Sequence, residues 1–223
     1  MSKNSIKTDW MFQHSMLLLF AFFVDVIRHS VLFTPIIGMV LFLLLLVKNF
    51  KEYTSLNPLI GYPNLVTSFR LGLLFVAPFL EHHFSLFILS LVVVCLDGLD
   101  GFLARKLNQI TFFGGQLDME TDAFFCLLFS LIIYVQNPHL AWVLLAGSLR
   151  YIYKIVTVLV ENKNSKTSQR KYTTYIAGFY FLSFVGFFYF ENQMGKTILI
   201  IGNGLVIISF LLSFYEYYFL KKE

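Results

Sequence analysis

Apolar runs dominate this chain, and their lengths suit a hydrocarbon layer. They lie at about 10–27, 31–47, 65–80, 84–105, 114–135, 140–160, 172–190 and 197–220. A helix needs about 20 residues to cross a bilayer core. Backbone polar groups in lipid must be satisfied within the segment, so every run is predicted to be helical. The connector KNFKEYTSLNPLIGYP, with Pro58, Gly61 and Pro63, parts the first two runs from the other six. The expected fold is therefore an all-α polytopic membrane protein. It divides into an accessory N-terminal hydrophobic helical hairpin at 1–50, a polar connector at 51–62 and a six-helix transmembrane core at 63–223. Within the hairpin, Asp25 and Arg28 are three apart and placed to pair on one helix face. Lys3 and Lys7 precede an apolar run, but no small-x-small cleavage site follows, so the segment is expected to stay uncleaved.

Composition agrees with the pattern. Of 223 residues, 57% are hydrophobic and 13% charged, where soluble domains carry about 25% charged residues. Trp10, Trp142, Tyr215, Tyr217 and Tyr218 fall near run ends, where amphipathic rings favour the headgroup layer. The net charge of +4 does not signal nucleic acid, because such a chain has no large soluble surface to carry a basic footprint. Its distribution sets topology instead. The connectors at 81–84, 136–139 and 191–196 hold a single Lys or Arg, Lys196. The other side holds Lys48, Lys51, Arg105, Lys106, Lys163, Lys166, Arg170, Lys171, Lys221 and Lys222, and the positive-inside rule makes it cytoplasmic. Cys95 and Cys126 each lie within an apolar run and read as buried thiols.

Against this background one segment stands out. From Asp97 the chain reads DGLDGFLARKLNQITFFGGQLDMETD. On a helix, Asp97, Asp100, Gly101, Ala104 and Arg105 form a single stripe, and Asp118 and Asp122 share a face of the next helix. Two helices joined by so short a link are expected to be antiparallel neighbours, so the four carboxylates converge near the cytoplasmic surface. One Asp at mid-helix costs roughly 2.5–3.5 kcal/mol on insertion scales, and four unpaired ones would approach a whole domain's stability. Hydration or bound cations must offset that, and oxygen ligands favour hard ions such as Mg²⁺ or Mn²⁺. Gly101 and Gly114 allow close approach to backbone, Ala104 keeps the groove shallow, and Arg105 offers a planar fork for phosphate. Glu120 points off the Asp118–Asp122 face and is not expected to be a ligand. His82 and His83 fall on the far side, and His14, His29 and His139 show no partner pattern.

The spacing D-x2-D-G-x2-A-R-x8-G-x3-D-x3-D resembles the signature of the CDP-alcohol phosphatidyltransferase family at every fixed position. Pro63, Asn64, Thr67 and Arg70 resemble the family's PN-x2-T-x2-R opening, with Arg70 either a phosphate contact or an anchor. The resemblance covers about 63–220 and implies transfer of a phosphatidyl group from CDP-diacylglycerol to a small polar alcohol, with release of CMP. Asp97, Asp100, Asp118 and Asp122 would hold Mg²⁺ or Mn²⁺, as a pair of ions, and Asp122 would act as general base. Asp97, Gly101, Ala104, Arg105, Gly114, Asp118 and Thr67 would bind the CDP moiety. Arg150 and Lys154, four apart, would face an acceptor phosphate, which favours glycerol 3-phosphate. Lys171 enters through a loose match of the 163–174 segment to a K-x-K-T-x2-Q pattern. Membrane lipids as partners, a homodimer, and a bacterial inner membrane with the site facing the cytoplasm follow from the same resemblance and from loop charge. Two other classes remain: intramembrane prenyl transfer through Asp-bound Mg-diphosphate, and an ion transporter using buried acids.

Overall fold

The computed structural model of the chain describes residues 3–48, 62–107, 111–160, 171–190 and 192–219. These residues form eight α-helices and two short 3-10 turns, without strands. In chain order the helices are α1 (Lys3–Arg28), α2 (Phe33–Lys48), α3 (Tyr62–Leu74), α4 (His83–Lys106), α5 (Phe112–Gln136), α6 (Val143–Val160), α7 (Lys171–Tyr189) and α8 (Gln193–Phe219). Each expected apolar run thus becomes one helix. The third run stops early, at Leu74, and passes into a 3-10 turn at Ala77–Phe79. Pro78 sits in that turn, where its missing N–H does no harm, whereas inside a helix it would break the hydrogen-bond ladder.

Helix α5 is the centre of the bundle. From Ala123 to Tyr134 nearly every side chain is buried. Its neighbours are α1, α2, α3 and α6, and α7 reaches it through a lattice of rings. Phe125 meets Phe181 and Phe184 edge-on at 5.3 and 5.5 Å, and Phe129 meets Phe188 at 5.9 Å. Edge-to-face pairs of this kind add about 0.5–1.5 kcal/mol each beyond area burial. Helix α6 comes close because Gly147 leaves room: a methyl group there would stand 2.9 Å from the Cys126 carbonyl oxygen and would also meet Ser130.

The outer faces are apolar too. Ile200, Ile201, Ile208, Leu211 and Leu212 of α8, Phe84 and Ile88 of α4, and Ile36, Leu43, Leu44 and Val47 of α2 are exposed. Soluble monomers rarely present apolar surface on this scale. His83–Lys106 and Gln193–Tyr215 are long and apolar enough to cross a membrane, and Phe33–Lys48, Pro63–Phe79 and Thr173–Tyr189 are shorter apolar segments.

The α1–α2 corner departs from expectation. Among the described residues Asp25 makes no ion pair with Arg28. Its carboxylate instead accepts from the backbone N–H groups of Leu32, Phe33 and Thr34, at 3.1, 3.1 and 2.6 Å, and from the Ser30 hydroxyl at 2.7 Å. A helix start has orphan donors and a positive dipole end, and one carboxylate answers both needs. Arg28 lies over the Phe33 ring, 5.6 Å from its centroid. The chain turns through His29, whose φ of 49° is left-handed. The Ser30 N–H then reaches the Asp25 carbonyl and the His29 N–H the Val26 carbonyl, the pairing of a Schellman cap. His29, which showed no partner in the sequence, stacks on Tyr134 of α5 at 5.2 Å and helps dock the pair on the core.

Asp25→Ala removes an acceptor for three backbone donors and is expected to cost about 1–3 kcal/mol. Thermal unfolding in detergent, followed by circular dichroism, would show a lowered midpoint, with Asp25→Asn in between. An unchanged midpoint would mean that this cap contributes nothing.

Candidate active site

The four aspartates do converge, but not through direct packing of α4 on α5. Each of those helices packs more extensively on α3 than on the other, and α3 delivers the residue that joins them. Arg70 is almost fully buried, at 1% exposure. One guanidinium nitrogen donates to Asp97 Oδ1 and lies 3.7 Å from Asp100 Oδ2. The other donates to Asp118 Oδ1 at 2.6 Å and Asp122 Oδ1 at 3.0 Å. The planar fork of arginine suits this role, since its several donors point outward in fixed directions. Thr67, one helical turn before Arg70, donates to Asp100 Oδ2 at 2.7 Å.

One guanidinium cannot balance four carboxylates. Oxygens of Asp97, Asp100 and Asp118 all lie within 4.8 Å of one another, and like charges at that range repel by about 3–4 kcal/mol at an effective dielectric of 20. The donor set is wholly oxygen, which fits a hard divalent cation. Asp97, Asp118 and Asp122 retain side-chain exposures of 31, 38 and 26%. They therefore remain open to a ligand, whereas Asp100 is mostly buried at 5%. Asp122 joins the cluster through Arg70 and stands outside the three-oxygen set.

Beside the acids is a cleft of about 100 Å³, lined from α3 by Pro63, Asn64 and Thr67, from α4 by Asp100, Gly101 and Ala104, and from the start of α5 by Thr111, Gly114, Gly115 and Asp118. Two of the glycines in the motif serve different ends. A methyl group on Gly101 would meet nothing within 4 Å, so that face is open space. One on Gly114 would lie 2.5 Å from Asn64 Oδ1 and 2.8 Å from Thr111 Oγ1, so glycine there lets α3 close on α5. Thr111 also caps α5, its hydroxyl accepting from the Gly114 N–H at 3.0 Å.

Of the remaining candidates, Arg105, Arg150 and Lys154 do not line this cleft. Arg105 is exposed in the last turn of α4, where its Nε donates to the Gly101 carbonyl at 3.1 Å, and it does not line the cleft. Arg150 lies within the electrostatic field of Asp118 and Asp122. Lys154 pairs with Glu120. Lys171 begins α7, but its side chain lies outside the described residues, as do 161–170 and the connector at 49–61.

Two features escaped the sequence. Arg70 read as a phosphate contact or an anchor, and is the hub of the acids instead. His14 showed no partner pattern, yet its Nδ1 lies 3.6 Å from Glu120 Oε2, with both side chains buried. An ionisable residue inside an apolar run was the available signal, since such placements are costly without a partner.

A CDP-diacylglycerol--glycerol-3-phosphate 3-phosphatidyltransferase of Wigglesworthia glossinidia brevipalpis is 32% identical over 103 residues, covering 44% of this chain and 56% of the relative. An uncharacterized protein of Aquifex aeolicus (strain VF5) is 38% identical over 92 residues, covering 36% of this chain and 47% of that one. The chain thus spans about half the length of these curated relatives. No solved structure matches it. The family model described as CDP-alcohol phosphatidyltransferase matches residues 60–215, a stretch that begins just before α3 and takes in all four aspartates. On that match, the chain belongs to the CDP-alcohol phosphatidyltransferase family.

Proposed function

We propose that the protein transfers the phosphatidyl group of CDP-diacylglycerol to the hydroxyl of a small polar alcohol, with glycerol 3-phosphate favoured, and releases CMP. The observation that carries this reading is the convergence of Asp97, Asp100, Asp118 and Asp122 on one point beside an open cleft. Family membership and the activity named for the Wigglesworthia relative support it.

In this reading the acceptor oxygen forms a bond to the phosphorus that bears the diacylglycerol, and the bond from that phosphorus to the CMP oxygen breaks. Asp122 takes the acceptor proton. It is partly exposed, and Arg70 orients it from the side. Asp97, Asp100 and Asp118, with Asp122 at the edge, would hold Mg²⁺ or Mn²⁺. When bound, such ions neutralise the diphosphate and the departing CMP charge. Thr67 and Arg70 fix the carboxylates so that little reorganisation is needed during the reaction. The open face at Gly101 and Ala104 receives the CDP moiety. Arg150 supplies a positive charge on the acid side of α6 for an acceptor phosphate.

The eight helices are read as a membrane bundle with a six-helix core and an added N-terminal pair. Exposed apolar faces on α2, α4 and α8 support this, and they leave the donor's acyl chains in lipid. Lys48 ends α2, and Arg105 and Lys106 end α4; with the positive-inside rule, these basic ends support reading the acids as lying at the cytoplasmic side of an inner membrane.

Purified protein with CDP-diacylglycerol, sn-glycerol 3-phosphate and Mg²⁺ or Mn²⁺ is expected to release CMP. Asp122→Asn should lower kcat by about 10²–10⁴-fold, the usual range for loss of a general base. Diphosphate release from a prenyl donor, or ion flux without CMP, would overturn the assignment in favour of those classes.

Arg150→Ala is expected to raise the KM for glycerol 3-phosphate about tenfold or more while sparing the donor KM, as loss of a charged hydrogen bond would. Steady-state kinetics with each substrate varied in turn would check this. An unchanged acceptor KM would remove Arg150 from the pocket.

A further inference from the structure

A second polar cluster lies on the opposite face of α5 from the aspartates. Glu120 sits between Asp118 and Asp122 in the chain, yet it is turned away and buried at 1% exposure. Lys154 of α6 donates to its Oε1, and Nδ1 of His14, from α1, stands 3.6 Å from its Oε2, which is buried and makes no hydrogen bond among the described residues. The His14 ring is held edge-on against Phe42 of α2, centroids 5.5 Å apart, and tilted against Tyr151 of α6 at 6.4 Å. Rings from two other helices therefore fix its orientation. Arg150 links the two clusters, interacting electrostatically with Glu120 on one side and with Asp118 and Asp122 on the other. Its Nε is buried and lacks a hydrogen-bond partner among the described residues.

The exposures differ in a telling way. Glu120 is sealed, while the Lys154 side chain keeps 19% exposure. An ammonium has three donors, and Glu120 occupies one, which leaves two for a ligand. A free lysine would lose side-chain entropy on gripping a ligand, and a buried carboxylate that already holds it removes much of that cost. An anionic acceptor must approach four aspartates that repel it, so a basic group at a fixed place matters more than a mobile one.

We infer that the N-terminal helix pair completes the acceptor side of the site: His14 seats the Glu120 carboxylate, and Glu120 holds the Lys154 ammonium for the acceptor's phosphate. His14 and Glu120 are positioning residues and touch no substrate. The inference rests on the transferase reading above and assigns α1 a part in acceptor recognition.

Kinetics of the full-length protein with sn-glycerol 3-phosphate and CDP-diacylglycerol test it. His14→Leu, which removes the polar ring nitrogen beside Glu120 Oε2, is expected to raise the acceptor KM about tenfold, while the donor KM stays within about twofold. His14→Asn, which returns a donor near the place of Nδ1, should restore most of the acceptor KM. Glu120→Gln keeps the shape and removes the charge, and it carries the same expectation should His14→Leu fail to fold. Equal loss in kcat and in both KM values, without rescue by His14→Asn, would mean a merely structural contact and overturn the inference. So would an unchanged acceptor KM in the Glu120→Gln variant. Absence of CMP release by the wild-type protein would overturn the transferase reading and this inference with it, whereas an active wild type with unaltered variants overturns the inference alone.

Discussion

A single guanidinium set among four carboxylates is the interaction on which the rest depends. Arg70 is buried to 1% exposure and reaches aspartates from two helices that each pack more on its own helix than on one another. Neither partner could be there alone. A buried arginine without counter-charges, or four clustered aspartates without a cation, would each carry a desolvation cost of several kcal/mol per ion. Together they tie α3, α4 and α5 at one point. The neutralisation is nevertheless incomplete, and that imbalance gives the site its chemistry. Negative charge is left over on Asp97, Asp118 and Asp122, all still partly exposed, and in the proposed function a divalent cation would offset it.

The fold supplies the rigidity this requires. Helix α5 is buried along most of its length and clasped by phenylalanine rings from α7. It carries Asp118 and Asp122 on one face and Glu120 on the other, so one stiff rod positions two charged clusters. The open ground lies where side chains are withheld: Gly101 faces empty space, while Gly114 lets α3 close down at the start of α5. At the far corner Asp25 uses its oxygens to start α2, which seats the N-terminal pair against the core.

Much of this was legible in the amino-acid sequence, and the exceptions share a cause. Every apolar run became a helix, because a backbone with no water around it must satisfy itself. The aspartate spacing placed the acids on shared faces, which helical periodicity alone determines. Partner choice was harder, since it depends on which helix lies between which. Arg70 reads from the sequence as a phosphate contact or an anchor, and its role as hub depends on α3 packing against both α4 and α5. Asp25 was matched with Arg28 by the three-residue rule, yet unpaired amides at the start of α2, a few residues further on, make better use of a carboxylate. His14 found its partner more than a hundred residues away, on a helix that only tertiary packing brings near. Arg105 lay on the aspartate stripe by periodicity, but a long side chain at an exposed helix end folds back onto its own Gly101 carbonyl.

Cation binding by the purified protein tests the central claim most directly. Electron paramagnetic resonance of Mn²⁺ titrated into wild-type protein should show bound ion, and the Asp97→Asn, Asp118→Asn double variant, still folded by circular dichroism, should show none at the same concentrations. Equal binding by the two proteins, or no binding by the wild type, would contradict the view that these carboxylates form an unfinished cation site.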